Sequence, residues 1–239
     1  MSTKHGVHIT WLGHAAFKIR TPGGEVILID PWLGNPKCPA DQRRVDQVDL
    51  LLVTHGHADH LGDAIEIASE HAPVVVGMFE LCTWLVGKGV ETCSPMNKGG
   101  TQTIGDIKVT MVSADHSSGI IDDGRLVPGG EAAGYVVELE TGFKLYHAGD
   151  TNVFGDMRLI GELYRPDVAM LPIGGHFTMS PREAARAVRM LEIKRIIPMH
   201  FGTFPLLKGT PDELRKELLD SEGVEVVELQ PGETTILTL

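Results

Sequence analysis

The chain has 239 residues and a formal net charge of −11, from 21 Lys plus Arg against 32 Asp plus Glu. Hydrophobic residues make up 42% and charged residues 22%, which excludes a disordered chain and supplies a large core. The acidic balance argues against duplex DNA as a partner, because phosphate contacts need clustered Lys and Arg.

Strand-like runs alternate with helical patterns along the chain. Residues 7–11, 16–21 and 25–29 read as strands, the last two joined by the turn Pro22-Gly23-Gly24. Residues 50–54 are a continuous apolar run, as in a strand covered on both faces. A helix is expected over 63–71, a strand over 74–77, and a helix over 79–86 ended by Gly87 and Gly89. Residues 107–113 alternate as a strand should, and the glycine-rich stretch 117–131 reads as a loop. The second half follows the same scheme: strands over 134–139 and 144–147, a helix over 156–163, and a strand over 168–172. The helix over 180–191 has the clearest start, with Ser180 as cap, Pro181 at its first position and Glu183 three after the cap. A strand over 196–199, a helix over 211–219 and strands over 225–229 and 234–239 complete the order. No linker divides the chain, so residues 1–239 are expected to form a single α/β domain of two similar β-rich halves.

Cys38, Cys82 and Cys93 form no Cys-x-x-Cys pair, so neither a disulfide framework nor a thiolate zinc knuckle is indicated. The first residues hold no apolar run of signal-peptide length, and no stretch reaches the length of a membrane span. The expectation is a cytoplasmic protein with no membrane partner.

The strongest chemical signal is Thr54-His55-Gly56-His57-Ala58-Asp59-His60, placed between a buried strand and a helix. Positions i and i+2 at a strand end point the same way, so His55 and His57 can grip one ion. Asp59 and His60, where the chain turns into the helix, can face a second ion. Imidazole and carboxylate suit zinc, manganese or iron. Four other segments place a polar group just after a strand: Asp30, His116, Asp150 and His200. Together they put candidate ligands at one edge of the sheets, where sites in α/β folds lie.

This ordered set, Asp30, His55-x-His57-x-Asp59-His60, His116, Asp150 and His200, resembles the metallo-β-lactamase superfamily over nearly the whole chain. The wording is closer to a group of uncharacterised metal-dependent hydrolases similar to ascorbate-6-phosphate lactonase. The shared phrases include Gly13-His14-Ala15, Leu28-Ile29-Asp30-Pro31, Tyr146-His147-Ala148-Gly149-Asp150-Thr151 and Thr203-Phe204-Pro205. The resemblance implies a four-layer αββα sandwich, with two mixed β-sheets, outer helices and a dinuclear metal site. It implies two divalent ions per chain, zinc foremost, with manganese or iron as alternatives. His55, His57 and His116 would hold the first ion; Asp59, His60 and His200 would hold the second; Asp150 would bridge them; Asp30 would orient the ligand loop. Two such ions about 3.5–4 Å apart lower the pKa of a shared water toward 7 and supply hydroxide.

The function expected is hydrolysis of a small ester, lactone or phosphoester. Alternatives are a nuclease or phosphodiesterase, a di-iron redox or sensor module, and a non-catalytic metal-binding protein. No Lys/Arg cluster supports a nucleic-acid groove. The di-iron branch typically carries Glu where this chain has His57. Beyond the ligands, His14 is a candidate proton donor, His176 a candidate site residue, and His147 a candidate support for the ligands; Asp59 is counted among the catalytic candidates as well. His5, His8 and His71 read as ordinary residues. Trp32, Phe177 and Phe204 are candidates for an apolar rim, against plain packing. The expected partner is a small molecule, with homo-oligomerisation open.

Overall fold

The computed structural model describes residues 6–238. In chain order the elements are β1 (Val7–Trp11), β2 (Phe17–Arg20), β3 (Val26–Ile29), β4 (Leu50–Leu52), α1 (Ala58–Leu61), α2 (Ala64–His71), β5 (Val74–Met78), α3 (Phe79–Gly87), β6 (Cys93–Met96), β7 (Thr101–Ile104) and β8 (Ile107–Ser113). There follow β9 (Gly119–Asp122), β10 (Arg125–Pro128), β11 (Ala133–Glu138), β12 (Lys144–His147), α4 (Met157–Tyr164), β13 (Val168–Pro172), α5 (Pro181–Leu191), β14 (Arg195–Met199), α6 (Pro211–Glu217), β15 (Glu225–Val226) and β16 (Thr234–Leu237).

Two seven-stranded mixed sheets carry the fold, in the orders β16-β1-β2-β3-β4-β5-β6 and β7-β8-β11-β12-β13-β14-β15. Both have the same pairing scheme, three antiparallel pairs followed by three parallel ones. The expected pseudo-symmetry is therefore present in the topology, although no sequence repeat reports it. Strand alternation builds the layers. In the second sheet Val109, Met111, Tyr135, Val137, Leu145, Met170, Ile197 and Met199 share one core with the first sheet. Their neighbours Val112, Val136, Tyr146, Ala169, Leu171 and Ile196 face α4, α5 and α6 in a second core. On the other side, α3 packs against β5 and β6. The two sheets thus face each other across one core, with helices on their outer faces, as expected of an αββα sandwich.

Helix α5 starts as its sequence requires: Ser180 and Glu183 form a reciprocal capping box, with Pro181 behind the cap. Helix α6 repeats the device with Thr210, Glu213 and Pro211.

Several elements depart from the sequence reading. Residues 117–131 are not all loop: β9 and β10 pair as a hairpin. Ile120 is buried, whereas Ile121 and Leu126 are exposed, so the hairpin has no apolar alternation to announce it. It is anchored from α3, where Trp84 Nε1 and Lys88 Nζ donate to the Asp122 carboxylate at 2.8 and 2.6 Å. Strands β6 and β7 were not foreseen either. Both lie at sheet edges, β6 contains Pro95, and three of the four β7 residues are polar. The expected strands 225–229 and 234–239 are shorter, and residue 239 and His5 lie outside the described residues. Among the described residues no helix is long and apolar enough to cross a membrane.

Candidate metal centre

The pairing directions bring the β1–β2 turn and the C-terminal ends of β3, β4, β8, β12 and β14 to one edge of the two sheets. His14, Asp30, the segment His55–His60, His116, Asp150 and His200 all sit there. The edges are joined by His200 N–H donating to the His14 carbonyl at 2.9 Å and by Tyr135 Oη donating to the Val53 carbonyl at 2.8 Å. His14, Asp30 and His200 take left-handed backbone angles, with φ of 52, 49 and 55°. Such strain gathers at functional sites, where the surrounding structure over-determines it. Gly149, with φ of 63°, has no such penalty; a Cβ there would lie 2.6 Å from the Ala133 carbonyl oxygen.

Three overlapping groups of side chains present ligand atoms within 4.8 Å of one another: His55, His57 and His116; His14, Asp59, His60 and His200; and His55, His60 and Asp150. The third group links the other two. Asp150 Oδ2 lies 3.2 Å from His60 Nε2, 3.0 Å from His200 Nε2 and 3.7 Å from His116 Nε2.

Hydrogen bonds assign the ring atoms. His60 Nδ1 donates to Asp30 Oδ2 at 2.7 Å, which turns Nε2 toward Asp150. Thr54 Oγ1 donates to Asp30 Oδ2 at 2.7 Å and so accepts from His55 Nδ1 at 3.0 Å, leaving His55 Nε2 for a metal. His55 Nε2 and His57 Nδ1 approach to 3.0 Å, as two nitrogens converging on one point. His14 Nε2 lies 3.1 Å from Asp59 Oδ2, and its Nδ1 lies 3.0 Å from Thr203 Oγ1. His147 is fully buried; its Nε2 donates to the Ala15 carbonyl at 3.0 Å, and its Nδ1 accepts from Gly149 N–H at 3.1 Å. That braces the turn presenting Asp150.

The electrostatics favour the ligand form at His55, His57, His116, Asp59 and Asp150, whereas His60 must give up a proton to bind a metal. Burial, the first cause in each case, lowers the pKa of His55, His57 and His116, so their rings are neutral with a lone pair to offer. Burial holds His14 down at about 4, with the Asp59 hydrogen bond opposing it. Burial also opposes charge on His60, but Asp150 and Asp30 on either side outweigh it and raise its pKa well above 6.5. For Asp150 burial opposes the anion, and His200 and His60 overcome it. Asp59 follows the same pattern, lowered by its His14 hydrogen bond.

The donor set fits a divalent metal. His60 Nε2, Asp150 Oδ1 and both His200 ring nitrogens are buried without a hydrogen-bond partner. Unpaired buried polar atoms are costly, and a bound cation would satisfy His60 Nε2, the Asp150 carboxylate and one nitrogen of His200.

A family model described as "Beta-lactamase superfamily domain" matches residues 25–201. The chain belongs to that family. It is 57% identical over 230 residues to a UPF0173 metal-dependent hydrolase of Koribacter versatilis, covering 96% of this chain and 97% of that one. Another UPF0173 metal-dependent hydrolase, from Rubrobacter xylanophilus, is 52% identical over 231 residues, covering 95% and 96%. Among solved structures, a metallo hydrolase of the hyperthermophilic archaeon Ignicoccus hospitalis superposes with a TM-score of 0.88 at 33% identity, covering 98% and 99% of the two chains.

His176 is not brought into the metallo-β-lactamase cluster. It is exposed, meets Phe177 edge-on with centroids 4.4 Å apart, and lines a groove of about 510 Å³ with Arg182 and Lys208. His8 lies on β1 and His71 ends α2, both half-buried and away from the cluster. Sequence reasoning missed Thr54 and Thr203, whose hydroxyls hold His55 and His14. Adjacency to His55 and to the His200 segment was the only available signal.

Proposed function

We propose that the protein is a two-metal hydrolase of a small ester, lactone or phosphoester, working in a reducing, cytoplasmic setting. The observation that carries this reading is the convergence of the two histidine groups on Asp150. His55, His57 and His116 would hold one ion, Asp59, His60 and His200 the other, and Asp150 would reach both, with zinc as the first choice and manganese or iron as alternatives. When bound, the ions supply Lewis-acid polarisation and a water acidified toward neutral pH.

The chain's own residues position the rest. Asp30 sets His60 directly and His55 through Thr54. The neutral His14 ring keeps its proton on Nε2 toward Asp59, while Thr203 holds the other nitrogen. Asp59 is 31% exposed, so this carboxylate meets whatever enters the cleft. His147 fixes the Gly149-Asp150 turn from between the sheets. The net charge of −11 favours a small substrate over a polyanionic one.

Elemental mass spectrometry of protein purified without added metal tests this. Two equivalents of zinc or manganese per chain are expected, followed by turnover of a lactone, ester or phosphodiester panel. Two equivalents of iron would redirect the assay to oxygen consumption. No metal, with none taken up on dialysis, would refute the reading.

A further inference from the structure

Trp32 and Phe204 come from different sheets, on the loops that follow β3 and β14. Their rings stack, with centroids 5.9 Å apart and planes at 27°. Both also meet His14 edge-on, Trp32 at 5.2 Å and Phe204 at 5.7 Å. His14 lies 3.9 Å from the His200 ring and bonds Asp59, so the aromatic pair stands one ring away from the ligand cluster. Phe204 is 37% exposed and Trp32 is half-buried. Among the described residues nothing accepts from the Trp32 indole N–H.

The Trp32 loop is built rather than loose. Leu33 N–H and Gly34 N–H donate to Asp63 Oδ2 at 2.7 and 3.1 Å, and the Asn35 amide donates to the Trp32 and Leu12 carbonyls at 2.6 and 3.1 Å. Gly62 closes against it: a Cβ there would lie 2.5 Å from Trp32 Cα. A loop braced in this way holds its side chain in place before anything binds, which lowers the entropic cost of binding. Phe204 is the exposed member of the pair, and a ligand group laid against it would remove apolar surface from water.

We propose that Trp32 and Phe204 form the subsite for a flat apolar group of the substrate, an aromatic ring or a comparably planar apolar portion next to the bond being cleaved. The indole N–H is placed to donate to an oxygen on that group. This rests on the hydrolase reading and narrows it, away from purely polyol substrates.

The test uses the metal-loaded protein and three carboxylates that share one anionic group: phenylacetate, acetate and 4-hydroxybutanoate. Phenylacetate should bind about tenfold more tightly than the other two, read by calorimetry, and should quench tryptophan fluorescence. Phe204→Ala should remove about tenfold of that preference with metal content and acetate affinity unchanged. Trp32→Phe should abolish most of the quenching. Equal affinity for the three acids, or a preference that survives both Phe204→Ala and Trp32→Ala in metal-replete protein, would overturn the proposal. Ring-selective binding without turnover of any ester would leave the subsite standing and count against the hydrolase reading instead.

Discussion

Asp30 Oδ2 accepts a hydrogen bond from His60 Nδ1 at 2.7 Å with both side chains fully buried. The same carboxylate accepts from the Thr54 N–H and hydroxyl, and that hydroxyl accepts from His55 Nδ1. One carboxylate thereby sets the tautomer of one histidine in each of the two histidine groups. Asp30→Asn keeps the shape and tolerates the φ of 49°, but its NH2 cannot accept. Metal affinity should fall by about ten- to a hundredfold with the fold intact. Competition with a chromophoric chelator measures this; unchanged affinity for both ions would remove Asp30 from the role.

Asp150 faces His60, His116 and His200 at once. Asp150→Ala should take up fewer than two ions and lose turnover, while circular dichroism stays native. A variant that retained both ions would refute the bridging assignment.

Acidification should destabilise the metal-free protein. Burial lowers the pKa of His55, His57, His116 and His147, and holds His14 at about 4 against a usual 6.5. Between those values the unfolded chain binds more protons than the folded chain. Stability is therefore fully present above about pH 6.5 and declines as pH falls toward the folded values. His14 alone accounts for on the order of 3 kcal/mol. His60 runs the other way: Asp150 and Asp30 outweigh burial and raise its pKa, so its contribution is full below 6.5 and is lost as pH rises. Five groups against one give a net loss in acid. The urea midpoint of chelator-treated protein should be lower at about pH 5 than at about pH 7.5; an equal or higher midpoint contradicts the assignment.

Helix α5 supplies a control remote from the metal chemistry. Ser180→Ala removes the acceptor of the capping box and should cost about 1 kcal/mol in thermal or denaturant unfolding. Metal stoichiometry should not change. A loss of metal in this variant would mean that α5 supports the centre directly.

The sequence made most of the central strands and helices legible, because their periods are strong. Residues 107–113, 144–147 and 168–172 match β8, β12 and β13 residue for residue. The edges were not legible: β6 with Pro95, the polar β7 and the β9–β10 hairpin gain their hydrogen bonds from neighbours that no local pattern names. The candidate ligand residues were legible as a group because a dense His/Asp motif follows a buried strand and further polar residues end other strands. Their supports were less so. Thr54 and Thr203 are ordinary residues by composition and acquire their roles only through the partners at 3.0 Å.

What the sequence determined by itself is most of the central strands and helices, the residue types that could bind metal, and the family wording that joins them. Only the tertiary structure decided which groups meet. It seated His14 against Asp59 across 45 positions of sequence and His147 against Ala15 across 132. It stacked Trp32 on Phe204 from opposite sheets and left His176 exposed outside the cluster. The physical reason is that strand and helix periods are local, whereas convergence at one sheet edge depends on how the two sheets pair and pack.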